Sequence, residues 1–221
     1  MTVITDIDIS RALAAAAKRP RVAGASPKAR REALALIENE ALVAPACSYR
    51  QLPVREASGA LLDFGESTLK VPGFAAVSAK LTGVTAVACT LGPALEGRVS
   101  TLCAGRRLSL ALALDEVGNE LLMYTARLVA LRIRGEARRE GLSAGETLTP
   151  GGRGLTLDQQ QAVIAMAGGD RLGITVSEQG MLFPVKSRSM VVPIGEGLAA
   201  HPLRRRCERC SSREKCRYRA R

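Results

Sequence analysis

Three cysteines close to the end of the chain, Cys207, Cys210 and Cys216, stand in a Cys-x2-Cys-x5-Cys pattern (CERCSSREKC). Two cysteines separated by two residues deliver both sulfurs to one ion, because the turn between them reverses the chain locally. The third thiolate, six residues on, completes a three-sulfur set. Zinc takes a fourth ligand, and His201, the only histidine, lies six residues before Cys207. A cluster of iron and sulfide is also held by three cysteines, with the last iron position open or filled from elsewhere. The surrounding Arg and Lys lower thiolate pKa and offset the negative charge of a metal–thiolate centre. The tail is therefore expected to bind metal, with zinc and an iron–sulfur cluster both open.

A second stretch with chemical potential runs from residue 148 to 195. It opens with TPGGRG (149–154), continues through a helix-like pattern (LTLDQQQAVIAMA) and ends in two strand-like runs joined by a loop containing Gly and Pro. Glycine lets a backbone approach a ligand closely, and a helix start presents unpaired N–H groups. Pro150, Gly151, Gly152 and Arg153 thus form either a candidate cradle for a polar or anionic small molecule or a plain turn in a loop–helix–hairpin that holds no ligand. Conventional catalytic sets are missing. The single histidine, His201, stands beside Pro202 in a linker, which argues against a Ser-His-Asp triad and a His-rich metal site, and no Gly-x4-Gly-Lys-Ser/Thr loop is present for nucleotide hydrolysis. The chain is suited to holding a cofactor, or a partner that carries the chemistry.

The elements that position these residues read as a mixed α and β chain. Residues 7–19 and 26–42 read as helices, the second with Ser26 as N-cap and Pro27 in the first turn. Residues 49–56, interrupted by Pro53, and 60–64 suggest a hairpin or edge pair around Ser58-Gly59, not a central strand. Residues 72–80 read as a short helix, VTAVACTL (84–91) as a buried strand, and 93–105 as a helix. From 106 to about 140 a long helix is expected. Its stripe of Leu110, Leu114, Val117, Leu121, Tyr124, Leu128 and Leu131 is spaced to lie against the core, with a coiled coil on a partner helix as the alternative. About five strands are expected in all, with residues 1–200 as one domain and 201–221 as a basic appendage.

With 221 residues and 47% hydrophobic content the chain can build a sizeable core, but aromatics are only 3% and Trp is absent, so Leu, Val and Ala must fill it. The net charge of +11 is concentrated: from His201 onward nine Lys/Arg face two Glu, a net +7. A basic tail of that kind serves acidic partners or a metal centre as readily as RNA, so nucleic-acid binding is the weaker expectation. Cys47, Cys89 and Cys103 lie among apolar neighbours and read as buried thiols. Neither a membrane-spanning run nor a signal peptide is evident in the sequence, and a cytoplasmic location is expected.

The segments TLGP (90–93), LDEVG (114–118) and the set Ser177, Met181, Pro184 and Ser187 occur in order with the TPGG loop and the cysteine tail. In this the chain resembles the reactivation domain of cobalamin-dependent methionine synthase, in a stand-alone form with a Cys-rich tail. The resemblance spans roughly residues 71–197. It implies an α+β fold on a twisted antiparallel sheet with flanking helices, one of them long and central. It also implies binding of S-adenosylmethionine and presentation of its methyl group to cob(II)alamin on a corrinoid protein or cobalamin-dependent methyltransferase. The family's loop, Arg-x-x-Pro-Gly-Tyr, is matched at Pro150-Gly151, while Thr147 and Gly152 stand at its Arg and Tyr positions and Arg153 follows. Its second loop corresponds to residues 184–189 and adds Pro184, Lys186, Ser187 and Ser189 as candidate binding residues. The alternative is an adaptor of the same fold, without the S-adenosylmethionine site, that docks its partner through the metal-binding tail.

Overall fold

The apolar, β-branched run in the middle of the chain forms β6 (Leu81–Thr90), and from Gly83 onward every residue of it is buried. The computed structural model of the protein describes residues 1–5, 7–18, 26–152, 154–198 and 214. A strand buried on both faces must pair on both edges, and β6 lies between β2 (Ala46–Pro53) and β10 (Ser187–Gly195), antiparallel to each. With β1 (Thr2–Ile4) outside β2 and β7 (Ser143–Ala144) outside β10, the main sheet among the described residues has the order β1-β2-β6-β10-β7. Alternation along β6 feeds two cores. Val87, Cys89 and Leu91 join the core on one face; Val84, Ala86 and Ala88 join that on the other.

Helices α1 (Ser10–Lys18), α2 (Pro27–Asn39), α3 (Ala94–Ala104) and α4 (Leu108–Arg139) supply the first core. Ser26 caps α2, its hydroxyl accepting the Ala29 N–H at 3.1 Å. Helix α4 has 32 residues, about 48 Å at the usual rise. Its buried line begins as expected at Leu110, Leu114, Val117 and Leu121, then passes to Leu122, Thr125, Ala126, Val129, Ile133 and Ala137. Tyr124 and Leu128 are half-buried and Leu131 is 49% exposed. The cause is the mismatch between a seven-residue repeat and 3.6 residues per turn, which rotates the stripe by about 20° per heptad unless the helix supercoils. Arg30 of α2 ties the layer together, donating from Nε to the Ala16 carbonyl at 3.0 Å and from Nη2 to Glu120 of α4 at 2.7 Å.

The opposite face carries a small meander, β3 (Glu56–Ser58), β4 (Leu61–Asp63) and β5 (Thr68–Lys70), with a 3₁₀ helix at Pro72–Lys80 and helix α5 (Gln160–Ala167). The expected turn at Ser58-Gly59 joins β3 to β4, with Gly59 at φ +59°. A last short pair, β8 (Thr175–Val176) with β9 (Leu182–Phe183), precedes β10.

Three expectations are corrected. Residues 46–53 form a strand between β1 and β6, not an edge hairpin: Pro53 is its final residue and stands in a non-bonded pair with Gly83, so its missing N–H interrupts no bond to β6. Cys103 is exposed, whereas Cys47 and Cys89 are buried as expected. The glycine-rich turn does not open the helix directly, because residues 155–159, including a 3₁₀ turn at Leu157–Gln159, separate Gly154 from α5.

Two outcomes follow. Leu121→Ala should lower the unfolding free energy by about 2–5 kcal/mol, and Leu131→Ala by no more than about 0.5 kcal/mol, in urea titrations. Burial pushes the Cys47 thiol up to about 11, against the opposing pull of Arg132. In the unfolded chain that thiol ionises from about pH 8.5. The native state stays neutral there, so stability should hold below that pH and fall as pH rises toward 11. Cys47→Ala should make that fall shallower.

Candidate functional site

After β7 the chain continues along the outer edge of β10, where Leu148 and Val191 exchange both backbone hydrogen bonds at 2.9 and 2.8 Å. This bridge anchors the glycine-rich loop. Gly152 N–H closes a turn onto the Thr149 carbonyl at 2.9 Å, and the Gly154 carbonyl accepts from Gly73 N–H at 2.9 Å. A Cβ on Gly154 would lie 2.7 Å from the Gly73 Cα, at φ +87°, so only glycine permits this backbone approach. Gly151 and Gly152 are exposed, leaving the outer side of the turn open. Leu157, also exposed, sits beside both Gly151 and Gly180: a Cβ on the first would lie 3.5 Å from it, and one on the second 2.9 Å. The loop therefore abuts the β8–β9 turn. Gln160, at the start of α5, donates to the Ser189 hydroxyl at 2.7 Å, both side chains being buried.

The segment leading into β10, with its first residue, makes different contacts. Lys186 is buried under α4, where its ammonium donates to Asp115 at 2.5 Å and to Asn119 at 2.9 Å. Asn119 donates in turn to the other Asp115 oxygen at 3.2 Å. The Val185 N–H donates to the Glu96 carboxylate of α3, beside the cis Phe183–Pro184 peptide. Ser187 donates to Thr90 at 2.9 Å, and Thr90 accepts from the Gly92 N–H at 3.1 Å.

The sequence-derived candidates thus fall into separate groups. Pro150, Gly151, Gly152 and Ser189 gather around the segment leading into α5. Lys186 faces α3 and α4, next to Pro184, and Ser187 bonds across to β6. Arg153, His201, Cys207, Cys210 and Cys216 lie outside the described residues. Thr147 is buried just before the Leu148 bridge. Sequence reasoning gave no role to Glu96, Asp115, Asn119 or Gln160, although Asp115 lies within the LDEVG segment. Asp115 and Asn119 are four apart on one helix face, a spacing that signals a shared contact. Gln160 stands in a run of three identical residues, and nothing in the run distinguishes it.

The arrangement contains no nucleophile paired with a base among the described residues. The Glu96 and Asp115 carboxylates are engaged by a peptide N–H and an ammonium, and the Ser187 and Ser189 hydroxyls by Thr90 and Gln160. Among the described residues no group of three His, Cys, Asp or Glu is placed to hold a metal ion.

No protein-family model matches the sequence, and no curated protein matches it. Among solved structures, the chain is similar to the MetH reactivation domain in its crystal structure bound to AdoHcy, with a TM-score of 0.65 and 15% identity. The match covers 85% of this chain and 71% of that one. It establishes the expected fold: a curled antiparallel sheet flanked by helices, one of them long.

Asp115→Ala should destabilise the protein by about 1–3 kcal/mol in urea titrations at neutral pH, because it leaves the buried Lys186 ammonium short of a partner. Asp115→Ala combined with Lys186→Met should recover most of that loss, since it removes the charge as well.

Proposed function

We propose that this chain is an accessory protein of a cobalamin-dependent methyltransferase system, binding S-adenosylmethionine at the loop of residues 149–154 and docking a corrinoid-carrying partner for reductive reactivation. The observation that carries the reading is the fold, shared over 85% of the chain with a reactivation domain whose crystal contains AdoHcy. The Pro150-Gly151 loop adds to it, since it is tethered to β10 on one side and leads to α5 on the other.

The local chemistry fits such a ligand in part. The open side of the Gly151-Gly152 turn offers peptide edges for polar groups, and exposed Leu157 offers apolar surface for a flat base. Arg153 is the cation nearest in sequence for the ligand's carboxylate. Lys186, another candidate from the sequence, already serves Asp115 and Asn119. When bound, S-adenosylmethionine supplies an activated methyl group on its sulfonium; this chain's part is to hold and orient it without side-chain catalysis.

A second reading, an adaptor that has lost the ligand site, is favoured by two observations. Thr147 is buried where the family carries arginine. At Gly152, where the family has tyrosine, a Cβ would lie 2.9 Å from the Thr149 carbonyl oxygen, so an aromatic side chain there would require the turn to shift.

Calorimetry with S-adenosylmethionine and S-adenosylhomocysteine discriminates the two. Saturable heats that Gly151→Trp abolishes support the first reading; flat heats with both ligands overturn it in favour of the adaptor. For the tail, we infer metal binding at Cys207, Cys210 and Cys216 from their spacing. An electron relay needs a redox-active centre, whereas zinc would fold the tail without one. Metal analysis of anaerobically purified protein should find about one centre per chain, lost in Cys210→Ser. Colourless protein with stoichiometric zinc would eliminate electron transfer through the tail.

A further inference from the structure

Cys47 and Cys89 stand directly opposite one another on β2 and β6, and both are completely buried. The ladder determines what kind of pair they form. Val54 N–H donates to the Thr82 carbonyl at 3.1 Å on the same diagonal of the antiparallel register, and bonded pairs recur at every second residue. Ser48/Ala88 and Ala46/Thr90 are therefore bonded pairs, and Cys47/Cys89 is the non-bonded pair between them. In such pairs the Cα atoms approach to about 4.5 Å and the side chains are at their closest. A disulfide needs Cα atoms about 4.4–6.8 Å apart and Cβ vectors that converge. Both side chains point to the helix-covered face, where Cys47 and Cys89 belong to one apolar core.

The row across the sheet at this level is Ile4–Cys47–Cys89–Arg188. On the outer side of Cys47, among the described residues, the cover within the sheet is β1, three residues long. Arg132 lies near Cys47 and Arg188 near Cys89, and each favours the thiolate against the opposing effect of burial.

We propose that Cys47 and Cys89 are a cross-strand dithiol that a small-molecule disulfide converts to an intramolecular disulfide when the β1 edge opens. In the first step one protein thiolate attacks a sulfur of the reagent, forming a mixed disulfide and releasing one reagent thiol. In the second, the other protein thiol gives up its proton and displaces the second reagent thiol. Two protein thiols are oxidised to one disulfide, and one reagent disulfide is reduced to two thiols. The product clamps the two central strands of the sheet, and closing a loop between distant positions restricts the unfolded chain.

The full chain is incubated with oxidised glutathione in buffer and in sub-denaturing urea. Free thiols are then blocked, and unreduced digests are analysed by mass spectrometry. A peptide pair linked through Cys47 and Cys89 is expected, forming faster in urea and disappearing on reduction. Cys47→Ser should leave Cys89 as a glutathione adduct instead, and the oxidised wild type should unfold at higher urea than the reduced protein, a difference absent in Cys47→Ser. Linkage of Cys47 or Cys89 to Cys103 or a tail cysteine would overturn the proposal. So would persistence of the unlinked pair at urea concentrations where a maleimide labels both thiols.

Discussion

Burial of β6 on both faces is the constraint from which the rest of the molecule follows. Neither face offers water to its peptide groups, so their hydrogen bonds must all run sideways. That requirement places β2 and β10 against it, although they come from opposite ends of the chain. It also calls for a cover on each face: helices α1 to α4 on one, and the meander with α5 on the other. Small side chains make this possible. Ala86, Ala88 and Cys89 let both layers approach the strand closely, which suits a sequence with no Trp and few aromatics.

Polar groups then orient the layers that apolar packing alone leaves free to slide. Arg30 joins α1, α2 and α4 through one guanidinium. Tyr49 of β2 donates to Glu136 at 2.8 Å and accepts from Arg132 at 3.0 Å, locking the far half of α4 to the sheet. Lys186 does the same for the near half through Asp115 and Asn119. Buried ion pairs add little net stability, because desolvation offsets the attraction, but a mismatched register would strand a charge. Their contribution here is positional: they fix α4 relative to the strand that leads into the candidate binding surface.

Much of the fold was legible in the sequence where local signals and burial agree. The run 84–91 reads as a buried strand because it is apolar at successive positions, and Ser26-Pro27 announces α2 through capping chemistry alone. The position of β2 was not legible, since Pro53 looks disruptive until its place at the strand's last residue is known. The line of burial on α4 was legible for three turns and then lost, because spacing in sequence does not say whether a helix supercoils. At the candidate site, motifs in the sequence pointed to Gly151 and Ser189. Gln160 was not, because its role depends on Ser189 lying opposite across a distance of 29 residues in sequence.

One consequence lies at the rim of the sheet. Strand β1 spans three residues and shields β2 only from Cys47 to Tyr49. Among the described residues no strand pairs with the rest of that edge, residues 50–53, which begins with the exposed Arg50 and ends at Pro53, with no N–H to offer. A second chain approaching that edge meets a positive charge at one end and a missing donor at the other, both of which oppose the growth of an intermolecular ladder. The proline that disguised β2 as a peripheral strand thus also removes a hydrogen-bond donor from its unpaired margin.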